Sequence, residues 1–186
     1  MLILASASPR RRELLSAAGI DHQVQAPNVE EIRLSGEEPE RYVQRLAREK
    51  ASAINCGQDD IVLGADTIVC LQKEVFGKPS DSADAVRMLR RLRGRGHWVF
   101  TGVCLRSRRR EIVDVAGTEV FLDELTDDEI ADYVETGEPL GKAGAYAIQG
   151  FASKFVREIR GCYQNVVGLP VSRVYRHLQD LSDARA

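Results

Sequence analysis

The chain has 186 residues, 44% hydrophobic and 29% charged, with a formal net charge of −2 at pH 7. That length suits one domain, or one with a small lobe, with a sizeable core. The slightly acidic balance argues against a general nucleic-acid binder, which usually carries a basic excess, so its arginine clusters need a local explanation. No apolar run approaches the ~20 residues that span a bilayer. The opening "MLILASASPRRR" places its charges after a short apolar run, the reverse of a secretory leader. A cytoplasmic location with no membrane partner is expected. Cys56, Cys70, Cys104 and Cys162 form no CxxC pair and read as reduced thiols. His22, His97 and His177 lack metal-ligand spacing, so zinc is not expected.

"LILA" predicts a first strand. Ser8 follows as a candidate N-cap, Pro9 at the first helical position, Leu14, Leu15 and Ala18 on one helical face, and Gly19 as the stop. A second helix opens at Pro39 and runs to about Ile54, with Val43, Leu46, Ala47 and Ile54 as its apolar face. Lys50 shares that inward face, so its ammonium must snorkel out or meet an anion. "DIVLGADTIVCLQ" predicts a buried strand whose course changes near Gly64, turning at Gln72–Lys73. Val86, Leu89 and Leu92 predict a helix over residues 82–93, ended by Gly94. "HWVFTGVCLRS" and "EIVDVAGTEVFL" predict a long antiparallel pair across the basic tip "RSRRRE". "LTDDEIADYVETG" predicts a helix with a Thr126–Glu129 capping box, stopped by Gly137. "KAGAYAIQG" and "KFVREIRG" read as strand or loop, and "GLPVSRVYRHLQDL" as a closing helix entered at Pro170. The pattern is α/β, with a mixed, strongly twisted sheet flanked by helices.

Singly, the polar residues that stand out have ordinary readings. Arg10, Arg11 and Arg12 can form a solvated helix face, although the N-terminal end of a helix disfavours cations. Asp66 interrupts an apolar run, where an ionised carboxylate needs a partner, a metal or backbone donors. Glu30 and Glu31 can be loop charges, Lys78 a turn residue and Gln149 a structural amide. Together they are more selective. Arg10, Arg11, Lys50 and Lys78 supply cations at element junctions, Glu30, Glu31 and Asp66 supply carboxylates, and Gln149 an amide beside a glycine. Triphosphate handling uses those parts: cations for phosphate oxygens, carboxylates for Mg²⁺ or Mn²⁺, and one carboxylate free to activate water. The chain lacks a GxxxxGK[ST] loop and so is not a P-loop enzyme. From residues alone it reads as an anion-binding α/β enzyme, a nucleotide being one candidate ligand.

"LASASPRRRELL", "RLAREKA", "VLGADTIV", "EVFGKP", "GEPLGKAGAYAIQG" and "NVVGLPV" occur in that order. Over nearly the whole chain, the sequence resembles the Maf-like nucleoside triphosphate pyrophosphatases. The resemblance implies a single Maf-like domain over residues 1–186. It also implies a Maf/inosine-triphosphatase-like fold of two lobes with a cleft, often as a homodimer. The implied reaction converts a nucleoside triphosphate to the monophosphate and pyrophosphate with Mg²⁺ or Mn²⁺. Asp-Thr at 66–67 resembles the subgroup acting on dTTP and UTP rather than the Asp-Gln subgroup acting on 7-methyl-GTP. By motif position, Asp66 matches the proton acceptor, and Arg11, Thr67 and Gln149 match the specificity positions. Ser6, Arg10, Lys50 and Lys78 match phosphate-side positions, and Glu30 or Glu31 the acidic loop for metal. The chain departs from the family at Gly141, where aspartate is usual, and at Phe151, where a small residue is usual.

Other readings differ in what they require. The same chemistry on 7-methyl-GTP or modified pyrimidine nucleotides is the nearest. A nucleotide-binding cell-division regulator without catalysis is another, in line with the family's link to septum inhibition, but Asp66, Lys50 and Lys78 are all retained. A nucleic-acid-binding module using "RRR" and "RSRRRE" is opposed by the net charge.

Overall fold

The computed structural model describes residues 1–183. In chain order the first elements are β1 (Leu2–Ala5), α1 (Pro9–Ala17), β2 (Gln23–Val24), α2 (Pro39–Ser52), β3 (Ile61–Leu71) and β4 (Glu74–Phe76). Then come α3 (Ser82–Leu92), β5 (Gly96–Arg106), β6 (Glu111–Leu122) and α4 (Asp127–Glu135). Two short 3₁₀ turns, Ala143–Ala145 and Phe151–Phe155, precede β7 (Val156–Arg160), α5 (Tyr163–Val167) and α6 (Val171–Asp183).

Seven strands make one mixed sheet in the order β2-β1-β3-β5-β6-β7, with β4 paired to β3. β1 runs parallel to β2 and to β3, which sets Ile3 opposite Val62 and Ala5 opposite Gly64. β4 is antiparallel to β3, and β7 to β6. β5 and β6 are neighbours joined by residues 107–110, a link too short for a parallel crossover, so they form an antiparallel hairpin.

The chain divides into two compact units. One comprises Met1–Thr67, Thr101–Ala116 and the chain from Gly168 onward; the other comprises Ile68–Phe100 and Gly117–Val167. In the first, strand residues alternate between two cores, as a period of two requires. Leu2, Leu4, Leu63, Ala65, Val103 and Leu105 pack with Leu15 of α1 and Val174 of α6. Ile3, Ala5, Val62 and Cys104 face the other way, onto Ala47 and Ala51 of α2. That helix lies directly on the strand backbones. A Cβ on Gly64 would strike the Ala47 carbonyl oxygen and the Ala51 nitrogen, and one on Gly102 would strike the Val43 carbonyl. In the second unit α3 packs on α4 and on the Ala143–Ala145 turn. Thr126 and Glu129 complete the capping box of α4, and the Tyr133 ring meets Phe155 edge-on at 5.8 Å.

Several local expectations are corrected. β3 continues through Gly64, which is small because α2 approaches there. Ala18 is exposed instead of sharing the buried face of α1, and α2 stops at Ser52, short of Ile54. "KAGAYAIQG" contains no strand among the described residues; it turns, with Gly144 at φ 70° and Ala145 at φ 60°. α5 was not foreseen. Five residues show too little periodicity, and the helix is fixed by buried Asn165, whose Nδ2 donates to the Val99 carbonyl and to Thr118 Oγ1.

The close packing of α2 makes a prediction. Gly64→Ala and Gly102→Ala should each lower the unfolding free energy by about 1–3 kcal/mol in urea titrations, the range for overpacking. The exposed Ser52→Ala on the same helix should stay within about 0.5 kcal/mol of the parent. Unchanged stability in both glycine variants would refute the contact.

Candidate active site

The site is built where Asp66 and Thr67, consecutive on β3, face opposite sides of the sheet. Asp66 follows Val62 and Gly64 onto the α2 side. There Lys50 Nζ donates to Asp66 Oδ1 at 2.6 Å and to Glu31 Oε1 at 2.6 Å. Lys50 and Asp66 are buried, while Glu31 is 42% exposed at its side chain. Lys50 thus meets an anion, and it meets two. Two partners on α2 hold the loop that carries Glu31: Tyr42 Oη donates to the Glu31 carbonyl at 3.0 Å, and Arg45 Nη2 to the Ile32 carbonyl at 2.9 Å. Arg45 is itself fixed by Glu37 at 2.8 Å.

Thr67 faces the α1 side and meets Arg11. The guanidinium is buried and gives its donors to its own chain: Nε to the Gly168 carbonyl at 2.8 Å, Nη1 to Ser6 Oγ at 3.0 Å and to the Ala65 carbonyl at 2.9 Å, and Nη2 to Thr67 Oγ1 at 3.0 Å. Thr67 Oγ1 also lies 2.9 Å from Thr101 Oγ1 on β5. Ser6, just past the end of β1, accepts from the Ser8 backbone N–H at 3.2 Å. Ser8 sits at the N-cap position of α1, but its side chain makes no cap bond among the described residues.

The electrostatics follow from burial. Removal from water raises the Asp66 pKa above the ordinary aspartate value, while Lys50 and Arg11 oppose that rise and Glu31 adds to it. Burial lowers the Arg11 pKa, with Asp66 opposing. The result is a buried carboxylate paired with Lys50 and also within the field of Arg11.

The other expected residues differ in burial and in the unit they belong to. Arg10 is half-buried on α1, its pKa lowered by burial and opposed by Glu13, and Arg12 is exposed. Glu30 is exposed, and the carboxylate that meets Lys50 is that of Glu31. Lys78 and Gln149 belong to the second unit, both exposed, one after β4 and the other in the turn before Phe151.

Sequence reading missed Thr101, the Gly168 carbonyl and Tyr42. Thr101 had a signal, a hydroxyl in an otherwise apolar strand run. A backbone carbonyl has none, because any residue supplies it, and a tyrosine in a helix gives no local sign of which carbonyl its hydroxyl will reach.

Among the described residues no group of three or more His, Cys, Asp or Glu converges on one point. Mg²⁺ is commonly held by one or two carboxylates plus substrate phosphates. Asp66 and Glu31, two carboxylates gathered round one ammonium, fit that pattern.

The family model described as "Maf-like protein" matches residues 1–181. A dTTP/UTP pyrophosphatase of Koribacter versatilis (strain Ellin345) is 53% identical over 179 residues, covering 96% of this chain and 93% of the relative. One of Geobacter sp. (strain M21) is 51% identical, covering 93% and 91%, and one of Pseudoalteromonas atlantica is 46% identical, covering 98% and 97%. A chain of the Staphylococcus aureus Ham1 protein superposes with a TM-score of 0.48 at 16% identity, over 83% of this chain and 79% of that one. That likeness is too loose to bear on fold or activity. The motifs, the family match across the sheet and helices, and the relatives at about half identity agree: the chain belongs to the Maf family.

Proposed function

We propose that this protein hydrolyses dTTP and UTP to the nucleoside monophosphate and pyrophosphate. The carrying observation is the buried Asp66 held by Lys50 beside Glu31, in a chain whose similar relatives are named dTTP/UTP pyrophosphatases. In the reaction a water oxygen attacks the α-phosphorus and the bond from that phosphorus to the α–β bridging oxygen breaks. Pyrophosphate leaves with the bridging oxygen, and the proton of the water passes to Asp66. Asp66 must be ionised to accept it; its position against Lys50 orients that carboxylate.

Ser6, Arg10, Lys50 and Lys78 act on the phosphate side, where fixed cations and donors favour charge developing on the leaving group. Arg11 works through its neighbours. Four of its donor contacts go to Gly168, Ser6, Ala65 and Thr67, so it fixes the hydroxyls of Ser6 and Thr67. Gln149 offers a donor and an acceptor, the complement of the O4 and N3–H of uracil or thymine. A divalent cation, Mg²⁺ or Mn²⁺, held by Glu31 and Asp66 with Glu30 in the same loop, supplies charge neutralisation when bound.

The reading takes residues 1–186 as one Maf-like domain, supported by the span of the family match. It includes a homodimer, supported by family resemblance, and a cytoplasmic location, expected from the lack of a bilayer-length apolar run in the sequence. No helix among the described residues is long and apolar enough to cross a membrane.

Pyrophosphate release from dTTP, UTP, CTP, 7-methyl-GTP and ITP with Mg²⁺ or Mn²⁺ tests the reading. Release should be fastest from dTTP and UTP, and Asp66→Asn should lower it by about a hundredfold or more, the range for a lost general base. No release from any nucleotide would leave the regulator reading standing. Acidity gives a separate check. Because the Asp66 pKa is raised, the acid limb of kcat/KM should lie above the ordinary aspartate value, with activity lost as pH falls through it. Lys50→Met removes an opposing cation, so the limb should move to still higher pH even though the rate is lower throughout. A limb unmoved in that variant would separate Asp66 from the profile.

A further inference from the structure

Gln149 is exposed, so its aim is set by the backbone that carries it. That aim matters because a carboxamide can rotate to exchange its donor and acceptor. A freely placed glutamine would serve uracil and cytosine alike. The turn holding Gln149 is closed by the Gly150 N–H donating to the Ala147 carbonyl at 3.0 Å. Both flanks of the turn are tied to one pair of side chains in the same unit. Before it, the Ala147 N–H donates to Tyr133 Oη at 3.2 Å. After it, the Phe151 N–H donates to Glu138 Oε2 at 2.9 Å and the Ala152 N–H to Glu138 Oε1 at 3.4 Å. Tyr133 Oη in turn donates to Glu138 Oε1 at 2.8 Å, which closes the brace.

The brace has little slack. A Cβ at position 150 would strike the Glu138 carboxylate, so the turn lies directly against it and any larger residue would have to displace that side chain. Tyr133 is buried on α4, and burial together with Glu138 raises its pKa, which keeps the hydroxyl protonated as a donor. Thr136 Oγ1 accepts from the Glu138 N–H at 3.2 Å, and Lys142 Nζ donates to the Glu138 carbonyl at 3.0 Å. The carboxylate is therefore mounted on a backbone that is itself fixed.

We propose that Glu138, with Tyr133, is the positioning pair that fixes the Gln149 turn and thereby sets the discrimination between uracil or thymine and cytosine nucleotides. The inference rests on the pyrimidine reading of Gln149. Glu138 touches neither base nor phosphate in this scheme; it acts through Gln149. Replacing it with glutamine turns one accepting oxygen into a donor that faces a donor, so at least one tie is lost while size is kept.

The test is a double-mutant cycle read as the ratio of kcat/KM for dTTP to that for CTP. Glu138→Gln should lower the ratio about tenfold, mainly through the KM for dTTP, with kcat nearly unchanged. Tyr133→Phe, which removes one hydroxyl, should lower it about threefold and guards against a Glu138 variant that folds poorly. In the Gln149→Ala background, the Glu138 change should have no further effect on the ratio, whereas a merely structural residue would lower activity on both nucleotides in either background. The amides of Phe151 and Ala152 should also exchange faster with solvent in Glu138→Gln. If Gln149→Ala lowers the ratio but Glu138→Gln and Tyr133→Phe do not, the positioning role is overturned and the Gln149 reading stands. If Gln149→Ala itself leaves the ratio intact, the Gln149 reading fails and the positioning role falls with it.

Discussion

The ion pair between Lys50 and Asp66 is the constraint on which the first unit is arranged. Two charges taken out of water are costly, and their attraction offsets the cost only at close range with good geometry. At 2.6 Å, with both groups buried, the range is short. Helix α2 must lie close to β3 for a lysine stem to arrive at that distance, and Gly64 and Gly102 provide the room. Gly64 and Asp66 share a face of β3, and Ala47 and Lys50 share a face of α2 one turn apart, so the contact that needs glycine and the contact that needs charge are consecutive. The helix that donates the lysine also holds the acidic loop, through Tyr42 and Arg45. One element thus brings both carboxylates to one cation.

The same strand uses its other face for a different purpose. Thr67 points to Arg11, whose guanidinium joins the end of β1 and the middle of β3 to the chain before α6. A buried guanidinium is tolerable when its donors are satisfied, and here carbonyls and hydroxyls satisfy them. Three adjacent arginines at the start of α1 therefore separate by environment: Arg11 is buried among acceptors of its own chain, Arg10 is half-buried and Arg12 is in solvent. The unfavourable helix end is offset for Arg11 by its acceptors and by Asp66.

How much of this was legible depended on the physics that carried each feature. The strand β1, the capped helix α4 and the inward Lys50 followed from periodicity and capping, which are local. Gly64 was legible as a singular residue, but its reason was not, because the helix that crowds it lies elsewhere in the sequence. "KAGAYAIQG" has the β-branched and aromatic look of a strand only in part. Its course is set by positive φ at Gly144 and Ala145 and by Tyr146, whose hydroxyl lies 2.8 Å from Nε2 of buried His97. Burial lowers the pKa of that histidine to about 4, so it stays neutral at pH 7, a structural role that the lone histidine did not reveal. The candidate site was visible as a set of residue types. Which of Glu30 and Glu31 meets Lys50 required the tying of their loop to α2, and what Arg11 grips required the pairing of β1 with β3.

Two ways of aiming a functional group coexist in this chain, and they differ in what disturbs them. Asp66 and Arg11 are aimed by buried charge and by hydrogen bonds made directly to the functional atoms, so their placement depends on excluding water. Gln149 is in solvent, and its placement depends on a backbone turn fixed from outside by Tyr133 and Glu138. A group that bears the developing charge gains from a low dielectric, where each contact is stronger. A group that must choose between bases gains from fixed orientation more than from burial, because its discrimination comes from leaving the wrong partner unpaired. On the proposed reading, base preference rests on the turn and its brace, and water activation on Asp66. Phe151, which stands where the family usually has a small residue, follows that turn, bonded through its amide to Glu138 and 64% exposed as a residue. The substitution is accommodated because the brace uses the backbone of residue 151 and leaves its side chain outside.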